Sequence, residues 1–231
     1  MTVQSDRIQN MEWGFPNPGG IDKLDTECLE EIVKEQMKKV EVLKIADVGC
    51  WTGKSTVSFA LACPKAEIIA IDWFKGSDGT KLAMAAEGAS VKEVLQSNLR
   101  YFDVVNRVKI VELTSLQAST LFTDNYFDIV FIDADHRYLK VQADLNAWWP
   151  KVKSGGIFCG HDCEFILHAP TVETLKDNPE APNPWNFFDD KEENGWNEED
   201  YLQFHPGVVR AVSKLFPQAT IEGKRIWKVL K

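Results

Sequence analysis

The feature that most limits how this chain can fold is the alternation of short apolar runs with helical segments. "VLKIADVG" (42–49), "EIIAID" (67–72), "VKIVEL" (108–113), "FDIVFID" (127–133) and "GGIFCGHD" (155–162) are short and apolar. Runs of this length read as buried strands. Between them, "STVSFALA", "SVKEVLQSNLRYFDVV", "SLQASTLF" and "YLKVQADLNAWW" read as helices. The first would be capped by Ser55 or Thr56, and the last would bury Val141, Leu145, Trp148 and Trp149. Five strands alternating with helices predict an α/β fold with a doubly wound, mostly parallel sheet. The tail departs from this pattern. "GVVRAVSKLF" is a helix, and "ATIEGKRIWKVLK" reads as two strands joined by a tight Glu222-Gly223 turn. An antiparallel hairpin on the sheet edge accounts for it.

The pattern fits a single domain spanning 1–231. Residues 1–40 are expected to form an N-terminal helical extension, in which Leu29, Ile32, Val33 and Met37 recur on one face of "DTECLEEIVKEQMKK". Residues 163–204 are irregular, with Pro170, Pro179, Pro182 and Pro184 beside Trp185, Phe187, Phe188, Trp196, Tyr201 and Phe204. Within them, 173–200 hold ten acids against Lys176 and Lys191, a net −8 of the chain's −9. A loop this long inside a domain is either a solvated acidic loop or a substrate lid; as a lid, its aromatic faces suit stacking on a sugar or another flat ligand.

Outside that acidic insert the chain is nearly neutral. It offers no basic surface, which argues against nucleic acid as a partner. No apolar run approaches the roughly 20 residues of a membrane span. "MTVQSDRIQNMEWGF" lacks the basic start and apolar stretch of a signal peptide, so a cytoplasmic location without a membrane partner is expected. Cys28, Cys50, Cys63, Cys159 and Cys163 are odd in number and lack a disulfide-framework spacing, which fits reduced thiols. Nothing in the sequence reports the oligomeric state.

In a doubly wound sheet, ligands sit beyond the carboxyl ends of the strands. The first such end is "DVGCWTGKST" (47–56), which resembles a phosphate loop but is one residue short: only Cys50, Trp51 and Thr52 separate Gly49 from Gly53. Asp72, ending the second strand 23 residues after Gly49, suits ribose hydroxyls. Asp47 adds negative charge, unfavourable for a triphosphate and favourable for a cation.

At these residues the chain resembles the class I S-adenosylmethionine-dependent methyltransferases, whose first motif is an acid followed by G-x-x-x-G. The resemblance covers about 40–162 and 205–231. It implies a Rossmann-like, mostly parallel seven-stranded sheet with a C-terminal antiparallel hairpin. It also implies that Asp47, Gly49 and Gly53 form the cofactor turn beside the methionine moiety and that Asp72 holds the ribose. Trp73 would stack near the adenine, and Ser115, in "ELTS", would lie at the adenine edge.

A second constellation follows the fourth and fifth strands. "FIDADHRY" (131–138) brings Asp133, Asp135 and His136 to the same ligand-facing layer, and "CGHDC" adds His161 and Asp162. Acids and histidines crowded in one crevice need a compensating cation or a catalytic use. A divalent metal, magnesium or manganese, would be held by Asp133 and Asp162, with His161 a third candidate. Asp133 also faces the cofactor crevice. A zinc site through Cys159, His161 and Cys163 lacks a second ligand pair of the usual spacing.

From Asp133 to Asp162 the pattern D-x-D-H-x-Y … D-L-x-x-W … GG-x-x-x-x-HD resembles metal-dependent small-molecule O-methyltransferases, including those acting on sugar hydroxyls. "HPGVVRAV … IWKV" is similar to the same group. The resemblance makes Asp133 and Asp162 metal ligands and Asp135 or His136 the general base towards a hydroxyl acceptor. His161 departs from members that carry an acid there, leaving it a nitrogen ligand or a base. The rival readings are a non-catalytic cofactor-binding scaffold, which has no need of Asp133, Asp135 and His136, and a nucleotide hydrolase, which needs the full phosphate loop.

Overall fold

In the computed structural model, which describes Ile8 and residues 21–76, 90–167 and 205–231, the five apolar runs are strands. They are β1 (Lys44–Val48), β2 (Glu67–Asp72), β3 (Val108–Glu112), β4 (Phe127–Ile132) and β5 (Val152–Gly160). The helices are α1 (Lys23–Met37), α2 (Lys54–Ala62), α3 (Val91–Tyr101), α4 (Ser115–Ser119), α5 (Tyr138–Trp148) and α6 (Pro206–Leu215). The hairpin strands β6 (Thr220–Glu222) and β7 (Ile226–Leu230) complete a seven-stranded sheet of order β3-β2-β1-β4-β5-β7-β6. β1 to β5 pair in parallel, while β7 runs antiparallel to both β5 and β6.

Helices cover both faces of the sheet, so β4 is buried at every position, as a central strand of a parallel sheet must be. Its alternate residues divide between two cores. Ile129 and Phe131 pack with Leu29, Ile32, Phe59 and Leu95 from α1 to α3. Val130 and Ile132 pack with Leu145, Trp148, Val209 and Trp227 on the opposite side. Full burial of one such aliphatic side chain is worth about 1.5–3 kcal/mol.

Several local expectations change. Met37, the last residue of α1, is 41% exposed. Trp149 falls in a 3₁₀ turn after α5 and packs between Phe158 and Phe216. The hairpin turns over 223–225 rather than two residues, since Glu222 pairs with Ile226. Gly53, not Ser55 or Thr56, is the N-cap of α2, in the left-handed conformation at φ 93°. Both hydroxyls are diverted to a buried carboxylate described below. All five cysteines are free and buried.

Among the described residues no helix is long and apolar enough to cross a membrane. Cys163–Leu167 carry no regular structure. The rest of the expected lid, including Trp185, Phe187, Phe188 and Trp196, and most of the N-terminal extension before Ile21 lie outside the described residues.

Candidate functional site

The chain order reverses between β1 and β4, so the crevice at their carboxyl ends is the place for a ligand. Three backbone links align the strand ends there: Gly49 N–H donates to Ile71 O (2.8 Å), Asp133 N–H to Val48 O (2.8 Å) and His161 N–H to Ile132 O (3.1 Å). Gly49 (φ 90°) owes its identity to packing, because a Cβ there would fall 2.0 Å from the carbonyl oxygen of Asp133. The turn after β1 and the segment after β4 are therefore in direct backbone contact.

Asp47 is fully buried. Its Oδ2 accepts from Ser55 Oγ (2.8 Å) and from Thr56 Oγ1. Burial pushes its carboxyl up to about 7, against those two hydrogen bonds. Its Oδ1, like the hydroxyl of nearby Thr52, is buried with no hydrogen-bond partner. Asp72 is held by the turn itself, accepting from Trp51 N–H (3.0 Å) and Phe74 N–H (2.7 Å). Burial raises its pKa despite those donors. Trp73 follows at the rim, 38% exposed. Lys54, the residue that makes the turn look like a phosphate loop, is buried and donates to Ile21 O. Ser115 begins α4 and its Oγ accepts from the fully buried indole Trp148 Nε1 at 2.9 Å, a packing contact between α4 and α5.

The second constellation assembles where β4 and β5 end. His136 Nε2 lies 3.5 Å from Asp133 Oδ1 and 3.2 Å from Asp162 Oδ2. His161 Nδ1 lies 3.0 Å from Asp162 Oδ1 and 3.8 Å from Asp133 Oδ2. His161 Nδ1 and Asp162 Oδ1 are buried and near each other but out of line for a hydrogen bond, and neither has another partner of that kind. Asp162 turns inward through a left-handed backbone (φ 58°), a conformation aspartate tolerates better than most residues. Ligand atoms of Asp133, His161 and Asp162 lie within 4.8 Å of one another, a geometry that could hold a metal ion.

The electrostatics are strongly coupled. Burial opposes the charge on His161, but Asp162, Asp25 and Asp133 lift its pKa to about 10. Burial likewise opposes the charge on Asp162, yet His161, His136 and His205 hold its carboxyl well below the usual range. Asp135 stands apart. Its carboxylate binds the Arg137 guanidinium in a fork (Nε–Oδ1 3.0 Å, Nη2–Oδ2 2.6 Å) and also accepts Arg137 N–H at 2.9 Å. Burial raises its pKa, but the arginine outweighs that and the net shift is downward. Asp135 is thus a poor proton acceptor, while His136 is the base candidate in contact with the two central carboxylates.

Four residues join the site without having been singled out from the sequence. His205 is buried, its Nδ1 2.8 Å from Glu164 Oε1 and 3.5 Å from Asp162 Oδ1, and its ring packs edge-on against His136 at 4.9 Å. With His136 and Asp162 it forms a second cluster of metal-binding geometry. Arg225, in the hairpin turn, places Nη1 3.1 Å from Asp162 Oδ1. Asp25, on α1, faces His161 Nε2 at 3.1 Å. The only sequence signal was for His205, which opens "HPGVV". Gly207 explains part of that motif: a Cβ there would meet His136 O at 2.1 Å, so α6 can start against the His136 segment only with glycine.

Residues 46–163, just over half of the chain, match a family described as "Methyltransferase domain". No curated protein matches the chain. Solved structures share the fold. A candidate O-methyltransferase from Klebsiella pneumoniae aligns with TM-score 0.60 at 16% identity over 99% of this chain and 89% of that one. The Podospora anserina methyltransferase PaMTH1, solved with S-adenosylhomocysteine (SAH), aligns with TM-score 0.60 at 15% identity over 100% and 88%. A candidate caffeoyl-CoA O-methyltransferase from Staphylococcus aureus aligns with TM-score 0.56 at 16% identity over 91% and 85%.

Proposed function

The chain belongs to the methyltransferase-domain family of S-adenosylmethionine-dependent enzymes, and on that premise we propose that it methylates a hydroxyl oxygen of a small molecule with the help of a divalent metal. The O-methyltransferases that share its fold supply precedent for the acceptor atom.

The observation that carries the metal reading is His161 Nδ1, buried without an aligned hydrogen bond 3.0 Å from Asp162 Oδ1 and 3.8 Å from Asp133 Oδ2. Buried polar atoms are rarely left this way unless a ligand or ion completes them. Asp133, His161 and Asp162 would hold the metal, which when bound lowers the pKa of an acceptor hydroxyl and orients it. A nitrogen ligand favours manganese or iron over magnesium.

Asp47, Gly49, Gly53 and Asp72 would hold S-adenosylmethionine, with Trp73 at the rim. The unpartnered, buried Oδ1 of Asp47 supports this reading, since it suits a cationic ligand. Asp133, in backbone contact with Gly49, lies between the two subsites. His136 takes the acceptor proton, and Asp133 and Asp162 stabilise the imidazolium that results. Much of the acceleration then comes from fixing acceptor and methyl donor in line.

The test combines thermal shift and turnover. S-adenosylmethionine and SAH should stabilise the protein while ATP and NAD do not, and turnover on polyhydroxylated acceptors should stop in EDTA and return with Mn²⁺. Turnover indifferent to EDTA would remove the metal from the reading.

A further inference from the structure

We propose that Asp25 makes His161 a metal ligand, by accepting the Nε2 proton of His161 so that Nδ1 presents its lone pair between Asp133 and Asp162. This rests on the metal reading above.

Asp25 and His161 are 136 positions apart and meet at 3.1 Å, Oδ2 to Nε2, inside the protein. Asp25 is wholly buried, and His161 nearly so. The two carboxylate oxygens have separate partners. Oδ1 accepts backbone N–H groups of Lys224 (2.8 Å) and Arg225 (3.0 Å) from the β6–β7 turn. Backbone N–H groups can only donate, so they fix the carboxylate and leave Oδ2 aimed at the imidazole. On the far side of the ring, Nδ1 faces Asp162 Oδ1 and Asp133 Oδ2 and has no aligned hydrogen bond.

A carboxylate on one ring nitrogen and a ligand position at the other is the arrangement that sets tautomer and orientation in histidine metal sites. A metal ion displaces the proton from the nitrogen it binds, and an imidazole that keeps its proton on Nε2 can coordinate through Nδ1 only. A buried carboxylate is also costly unless satisfied. The hairpin N–H groups use Oδ1, and they do not account for Oδ2 reaching the histidine. The metal class that follows is a borderline divalent cation that accepts nitrogen, such as Mn²⁺, Fe²⁺ or Co²⁺.

Asp25→Asn separates this role from a structural one. The amide oxygen retains both backbone donors, while the amide nitrogen replaces Oδ2 and presents hydrogens to Nε2. His161 must then carry its proton on Nδ1, where it blocks coordination. The probe is Mn²⁺ itself, titrated into the full-length chain and followed by the EPR signal of the free ion, with Co²⁺ absorption as a second reporter of nitrogen ligation. Asp25→Asn and His161→Gln should each weaken Mn²⁺ binding about 10–100-fold, with SAH affinity unchanged. Asp25→Glu should recover part of the loss. Wild-type Mn²⁺ affinity in both variants, alongside its loss in Asp162→Asn, would overturn the role of Asp25 and leave the metal reading standing. Failure of the wild-type protein to bind Mn²⁺ would remove both. Loss of SAH binding together with Mn²⁺ binding in Asp25→Asn would make Asp25 a fold residue only.

Discussion

The α-carbon of Gly49 and the carbonyl oxygen of Asp133 are so close that a Cβ on Gly49 would lie 2.0 Å from that oxygen. The turn after β1 and the acidic segment after β4 therefore cannot move independently, and the two halves of the proposed site share one backbone contact.

Gly49→Ala should for that reason damage both halves. The substitution adds a clash with backbone to a φ of 90°, and a strained alanine alone costs about 1–3 kcal/mol. Urea denaturation should report a loss of at least that size, and SAH binding should weaken with it. A stability equal to wild type would mean that β1 and β4 separate more easily than their register implies.

Asp47 gives a pH signature. Its folded-state carboxyl is raised from 3.8 to about 7 by burial. A raised acid binds its proton more tightly when folded, so this contribution is complete below 3.8 and is lost as pH climbs to about 7. Asp47→Asn removes the titration. Relative to wild type the variant should gain stability between pH 4 and pH 8, on the order of 2–4 kcal/mol. Parallel stability curves for the two proteins across that range would contradict the assignment.

His136 and Asp135 are separable by kinetics. Because Asp135 is tied to Arg137 and His136 touches both Asp133 and Asp162, His136→Gln should lower kcat about 10²–10⁴-fold with SAH affinity retained. Asp135→Asn should act mainly by loosening Arg137 and have the smaller effect on kcat. The reverse order would move the base to Asp135.

Ser115 tests the expected adenine edge against the contact observed. Its hydroxyl accepts the buried indole N–H of Trp148 at 2.9 Å. Ser115→Ala leaves that donor unsatisfied and should destabilise the protein by about 1–3 kcal/mol, with little change in SAH affinity by calorimetry. A tenfold weaker affinity at unchanged stability would return Ser115 to the cofactor.

Much of this was legible before any coordinates. Apolar runs of strand length alternating with helices fix which segments pair, because a strand buried on both faces has few alternatives to a parallel sheet. Once that topology holds, the residues just past each strand must gather along one edge. That is why Asp47, Asp72, Asp133, His161 and Asp162 could be grouped from sequence alone. The same logic exposes its own limit at Ser55, Thr56 and Ser115, whose hydroxyls read as a helix cap or a ligand contact. They are instead used by Asp47 and Trp148, groups buried beside them.

The sequence by itself determined the sheet, its switch point and the acids that line it, since these follow from local periodicity and chain order. Only the tertiary structure decided which groups stand behind those acids. Asp25 reaches the hairpin across 199 positions and His161 across 136, while Glu164 and His205 meet across 41. Such pairings leave no periodic trace in the chain. They arise where helix and hairpin pack over the strand ends, and where a buried carboxylate must find donors or go unsatisfied.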